Sequence, residues 1–207
     1  MARIAPLDPP YSTDVAAQLA RMMPPGVEPI ALFRLFARNL PMAQAMSGWG
    51  SYELSRRLSL TLREREIVID RTCARAGCEY EWGVHISIFA GRAGLRADQV
   101  RSLTAGDADD PCWTEPRDKI LIRVVDALFD SRDLDDDLWQ QLGRHLDEAE
   151  TLDLLLLCGW YQAISLVGRV TRLPNEPGAP TFASVDVVGP GGDDVGRDRS
   201  INGSHGQ

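Results

Sequence analysis

From Arg71 to Gly94 the chain reads Arg-Thr-Cys-Ala-Arg-Ala-Gly-Cys-Glu-Tyr-Glu-Trp-Gly-Val-His-Ile-Ser-Ile-Phe-Ala-Gly-Arg-Ala-Gly, and no other stretch restricts the possible folds as tightly. It carries two of the four cysteines and the one histidine set among apolar residues. Gly77 breaks a helical pattern before it and Gly94 closes it, so residues 79–92 read as one helix. On that helix Cys78, Glu81, Trp82 and His85 fall at i, i+3, i+4 and i+7 and share a face. A thiol, a carboxylate and an imidazole on one stripe can form a reactive site. The plainer alternative is that Trp82 and His85 pack in a core while Glu81 pairs with an arginine. Against it, a carboxylate beside a histidine is costly to bury without a use.

The flanking sequence is helical by pattern almost throughout. Ser12-Thr13-Asp14 caps a short helix from Asp14 to Met23, which Pro24-Pro25-Gly26 ends. Helices are expected at Pro29 to Arg38 and from Pro41 to Arg57, where Gly48 and Gly50 leave room for a close neighbour. Thr61 and Glu64 form a capping box, and Glu66, Ile67, Ile69, Asp70 and Cys73 carry the pattern on to Ala76. Beyond Gly94 the pattern predicts a connector helix over 96–105, one from Glu115 to Phe129 capped by Thr114, one from Leu134 to His145 and beyond, and a last one from Ala149 to Arg172. The run Leu152 to Cys158 is apolar on nearly all sides and belongs in the core. After Pro174, Pro and Gly recur among acids, and only Val185 to Val188 resembles a strand. The reading is an all-α, single-domain helical bundle. It has a segment and short helix over 1–28, the helical domain over 29–173 and an irregular tail over 174–207 that is mobile or wraps the domain.

Composition narrows the function classes. A chain of 207 residues, 44% hydrophobic, can bury one core without a second domain. Its net charge of -8 and absence of a basic cluster argue against nucleic acid or an acidic membrane as partner. Lys119 is the sole lysine and lies in an ordinary amphipathic helix, which disfavours Schiff-base chemistry. Four cysteines, an N-terminus without an apolar signal region and no run approaching 18 apolar residues predict reduced thiols and a cytoplasmic protein. Three histidines and four cysteines without tight ligand spacing predict no metal site, and the lack of a Gly-rich phosphate loop predicts no nucleotide cofactor. Cys112 and Cys158 read as apolar fillers, His145 as a helix C-terminal cation and His205 as a tail residue.

Glu66, Cys78, Tyr80, Glu81 and His85 together resemble the core motif of the carboxymuconolactone decarboxylase family, in which Tyr-Glu-Trp is followed by a His three residues on. Leu32-Phe33, the run Leu62-Arg63-Glu64-Arg65-Glu66 and Gly94-Leu95 fit the wider pattern, so the resemblance spans roughly residues 30–170. It implies a helical bundle of the alkyl hydroperoxidase D-like type that assembles into dimers, trimers or hexamers. The hydroperoxidase branch carries two cysteines, a His and a Glu. Laid on this chain they fall on Cys78, Glu81, His85 and Glu66, so Glu81 stands where the second cysteine would be. The resemblance also implies a proton relay between Glu66 and His85.

Three functions stay open at this level. The first is a cofactor-independent, decarboxylase-like lyase acting on a small carboxylated or enolisable ring compound. In it His85 protonates, Glu81 and Glu66 orient it, and Tyr80 and Trp82 line the substrate pocket. The second is a thiol peroxidase using Cys78, whose place at a helix N-terminus predicts a lowered thiol pKa. Its resolving partner would be an external thiol or Cys73, which a continuous helix would turn away but which the break at Gly77 could return. The third is a non-catalytic helical oligomer that binds a small hydrophobic ligand.

Overall fold

The computed structural model describes residues 1–186, and among them there are helices and turns but no strand. The helices are α1 Thr13–Met22, α2 Ala31–Phe36, α3 Leu40–Glu53, α4 Leu62–Arg75, α5 Glu79–His85, α6 Ala97–Ala105, α7 Pro116–Asp130, α8 Asp136–Leu142, α9 Glu148–Thr171 and α10 Phe182–Asp186. A 3-10 turn at Ala37–Asn39 joins α2 to α3, and a π turn at Ile86–Ala90 prolongs α5.

α4 is the axis of the bundle. Every residue from Glu64 to Cys73 is buried, and α5, α6, α7 and α9 pack around it. Its start follows from the capping box: the Thr61 hydroxyl accepts from Glu64 N–H while the Glu64 carboxylate accepts from Thr61 N–H. A helix reading Arg-Glu-Arg-Glu-Ile-Val-Ile-Asp-Arg can be central only if its charges are paired inside the fold. All but Asp70 are. Arg71 forks onto Asp126 at 2.7 and 2.8 Å, Arg63 reaches Asp118 at 2.8 Å, and Glu64 meets Arg117. Around these pairs Ile67, Val68, Ile69, Leu121, Leu154 and Leu157 form the dry core.

α9 is the one described helix long and apolar enough, by length and a mean hydropathy of 1.4, to cross a bilayer, and half of that window is buried inside the bundle. Asp153, Gln162 and Ser165 interrupt α9, so it holds no unbroken run of 18 apolar residues. The helix suits a core because Asp153 within it accepts from the Tyr52 hydroxyl and Ser59 N–H, both at 2.7 Å.

Four local expectations are corrected. The motif helix is not regular to residue 92 but widens into the π turn after His85. Thr114 does not cap α7, which starts on Pro116 after Glu115 without a side-chain cap. α8 begins on the cap Asp135 and stops at Leu142, well before His145. Val185 lies in helix α10, not a strand, while residues 187 and 188 lie outside the described residues.

The segment after α9 wraps the motif helix. Glu176 accepts from the Tyr80 hydroxyl at 2.6 Å and from Ala31 N–H at 2.5 Å, and Glu79 accepts from Asn175 at 2.8 Å and from Phe182 N–H at 2.9 Å. Phe182 stacks on Trp82 with centroids 5.0 Å apart. Gly83 permits this approach, since a Cβ there would sit 2.6 Å from the Pro180 carbonyl oxygen.

Candidate active site

Two turns of α4 and one of α5 bring four ionisable groups together. His85 Nδ1 lies 2.8 Å from Glu66 Oε2, and both side chains are buried. Glu66 Oε1 is taken by Arg65, whose Nε and Nη2 approach at 2.7 and 2.6 Å. The Glu66 carboxylate is thus shared, one oxygen on the guanidinium and one on the imidazole. On the other side of the ring, His85 Nε2 is 3.6 Å from Glu81 Oε1, an ion-pair distance longer than a hydrogen bond. The second Glu81 oxygen is buried without a partner.

These neighbours set the charge of His85. Burial alone opposes protonation, but the Glu66 charge and hydrogen bond outweigh it, with Glu81 adding to them, and the imidazole pKa is pushed up to about 10. At neutral pH His85 is a cation. Asp70, one turn beyond Glu66 on α4, is completely buried with neither oxygen hydrogen-bonded. Burial and the Glu66 charge hold its carboxyl well above the usual range, against the pull of His85. Both influences favour the neutral form at Asp70, while Glu66 and Glu81 lie against Arg65 and His85.

The imidazole is fixed from its faces as well. Phe89 in the π turn lies alongside it at 5.3 Å and Tyr161 of α9 meets it edge-on at 5.0 Å. Phe89 is in turn covered by Arg65 at 5.0 Å and Arg92 at 5.5 Å. Widened π turns commonly occur where a helix has been re-aimed at a functional site, and here the turn starts directly after the histidine.

His85, Glu81, Phe89 and Tyr161 line a cavity of about 690 Å³ bounded by α1, α2, α3, α5, the π turn and α9. The rest of its wall is mainly apolar, with Met22, Leu32, Phe36, Met46, Trp160 and Ile164 prominent. A large apolar hollow with a few converging polar groups is the usual form of a small-molecule site.

The six residues singled out from sequence separate into three groups. Glu81 and His85 face the cavity, and Glu66 stands behind His85. Tyr80 and Trp82 do not line it: Tyr80 is engaged by Glu176 and Leu32 N–H, and Trp82 is fully buried under Phe182. Their assignment to substrate binding is corrected, because the segment around Glu176 and Phe182 and the start of α2 cover both side chains. Cys78 is 1% exposed, packed against Gly168 of α9, and also outside the cavity wall. Burial pushes its thiol up, and the Glu81 backbone hydrogen bond offsets this only partly. The lowered pKa expected from its helix N-terminal position is overturned by desolvation. Cys73 is likewise a buried free thiol with its pKa raised well above normal, chiefly by burial. Thiol reagents are accordingly expected to label half-buried Cys112 first in the native protein. Faster labelling of Cys78 by mass spectrometry would reverse that order.

Sequence reasoning missed Arg65 as a site residue, along with Tyr161 and the raised pKa of Asp70. Arg65 adjoins Glu66 and could have been suspected as its partner. Tyr161 sits in the apolar stretch of α9, where nothing local distinguishes it from core.

The fold and the site define an all-helical protein with a buried histidine–carboxylate cluster at the wall of an apolar cavity. Residues 41–118, which hold Arg65, Glu66, Glu81 and His85, match the model of the Carboxymuconolactone decarboxylase family. The match covers less than half of the chain and marks a similarity of this segment to that family. Solved structures share the fold at low identity. A protein of unknown function from Agrobacterium tumefaciens, a candidate AhpD antioxidant defence protein, is 18% identical with a TM-score of 0.60, covering 68% of this chain and 95% of its own. A peroxidase-related protein from Silicibacter sp. TM1040 is 14% identical with a TM-score of 0.71, covering 86% and 96%. The debrominase Bmp8 is 15% identical with a TM-score of 0.68, covering 88% and 96%. No curated protein matches the chain in sequence.

Proposed function

We propose that the protein is a cofactor-independent acid–base enzyme, resembling carboxymuconolactone decarboxylases, that acts on a carboxylated or enolisable compound bound in the apolar cavity. The observation that carries this reading is the cationic His85, held by Glu66 through Nδ1 with its Nε2 side toward the cavity beside Glu81. When a carbon next to a carbonyl loses a proton or carbon dioxide, the bonding electron pair moves onto the carbonyl oxygen as an enolate. His85 Nε2–H stabilises that oxygen by its charge and can then return a proton to carbon. The Glu81 carboxylate at the cavity wall can accept the proton where deprotonation comes first. Solvent deuterium incorporation into an enolisable ligand, followed by NMR, tests this. It is expected in the wild type and in Cys78→Ser, and is expected to be lost in His85→Gln. Exchange that survives His85→Gln would remove the histidine from the chemistry.

A thiol peroxidase is the less supported alternative, because Cys78 is buried away from the cavity with a raised pKa. A cytoplasmic setting fits the four free thiols.

We also propose that the chain self-associates through α9. Leu152, Leu156, Gly159, Ala163, Leu166 and Val170 all lie on its exposed face, spaced four and three residues apart in alternation. That is the spacing of a helix-pairing seam, and a second copy of α9 fits it. Light scattering at micromolar concentration is expected to give an oligomer that Leu156→Glu with Leu166→Glu reduces to monomer. A monomeric wild type would refute it.

A further inference from the structure

The cavity wall carries two more charged side chains, Arg21 of α1 and Arg92 just beyond the π turn. Both are exposed, and among the described residues neither has a carboxylate partner, whereas Arg63, Arg65, Arg71, Arg75 and Arg117 are all ion-paired. In a chain of net charge -8, two unpaired guanidiniums on one apolar cavity mark a local reversal of sign. Arg92 is also pre-positioned, since its guanidinium lies 5.5 Å over the Phe89 ring that flanks His85.

Building on the acid–base reading, we propose that the cavity takes an amphiphilic monoanion: a mainly apolar body in the hollow, with one terminal carboxylate or equivalent anion held by Arg21 and Arg92. Three features converge on this class. The volume of about 690 Å³ and the wall of Met22, Leu32, Phe36, Met46 and Trp160 suit a long or multi-ring hydrocarbon body, and a small polyacid would leave most of that surface unfilled. Three of the apolar wall residues, Val27, Leu54 and Ile88, are more than one third exposed and would be covered by such a body. Arg92 and His85 each pack against the Phe89 ring, at 5.5 and 5.3 Å from its centroid, so the two groups are neighbours through one aromatic side chain. The anion is therefore a handle separate from the enolisable group, which another part of the ligand presents to the imidazole.

The test is competition against 8-anilinonaphthalene-1-sulfonate, whose ring body and single anion match the proposed class, with decanoate, decanol and succinate as competitors. Decanoate is expected to displace the probe at least about tenfold more tightly than decanol, and succinate not to compete. In Arg21→Gln with Arg92→Gln the preference for decanoate is expected to vanish while decanol binding stays unchanged, which shows the cavity intact. Equal binding of decanoate and decanol by the wild type, a preference that persists in the double variant, or competition by succinate would each overturn the proposal. His85→Gln separates it from the acid–base reading: if proton exchange proves independent of His85 while the decanoate preference holds, the ligand class stands and the catalytic reading falls.

Discussion

Replacing Glu66 by Gln is expected to damage stability and chemistry together, more than any other single change in the site. The substitution keeps the shape but removes the charge that outweighs burial at His85, so the imidazole loses its proton well below the wild-type value of about 10. It also leaves buried Arg65 without a counter-ion, and breaking a buried pair in this way typically costs about 3–5 kcal/mol. Turnover is expected to fall by roughly 10² to 10⁴, the usual contribution of a positioned acid. The pH dependence has a definite sign. The folded-state pKa of His85 is raised from 6.5, so its contribution to stability is fully present below about pH 6.5 and is lost as pH rises through about 10. Glu66→Gln should remove that alkaline loss, and the alkaline limb of the rate profile should move toward neutrality. Urea unfolding within about 1 kcal/mol of wild type, with an unchanged alkaline limb, would show that Glu66 does not govern His85.

Glu81→Gln is expected to separate chemistry from stability. One Glu81 oxygen is already buried without a partner and the other is only 3.6 Å from His85, so the amide costs the fold about 1–3 kcal/mol for its unsatisfied donors, less than the loss at Glu66. The rate should nonetheless drop by roughly 10² to 10⁴, because the variant can neither accept a proton nor support the imidazolium. The pH optimum should move toward acid, but by less than in Glu66→Gln, since Glu66 is the stronger of the two influences raising the His85 pKa. A wild-type rate and pH profile in Glu81→Gln would return this carboxylate to a packing role. The contrast between the variants matters more than either alone: a purely structural cluster would lose stability in proportion to activity at both positions.

Periodicity and capping were enough to establish from sequence that the chain is an all-helical bundle, since both are local. Thr61 and Glu64 close a capping box by their own spacing, whereas the apolar run of α9 is only partly core: Leu154, Leu157 and Cys158 are buried while Leu152 and Leu156 are exposed. The motif spacing likewise placed Glu81 and His85 on one stripe, and one helical turn does set them 3.6 Å apart. What a stripe cannot say is which of its members faces a hollow. Cys78 and Trp82 share the His85 face by angle, yet α9 at Gly168 covers the first and the segment around Phe182 covers the second. Only packing between distant segments leaves Glu81 and His85 open to the cavity.

Electrostatics depended on tertiary structure even more. A cysteine at a helix start predicts a reactive thiol, but desolvation exceeds the pull of the short helix once α9 is laid against it. Spacing along α4 leaves open whether Glu66 and its neighbour Arg65 are solvated at the surface or buried beside His85. Burying α4 among α5, α6, α7 and α9 decides between them by removing the water that would screen the pair. Sequence by itself determined the helices, the motif and the residue types able to move a proton. The tertiary structure alone decided which of those groups are desolvated, and desolvation sets the charge on His85, the raised pKa of Asp70 and the inertness of Cys78.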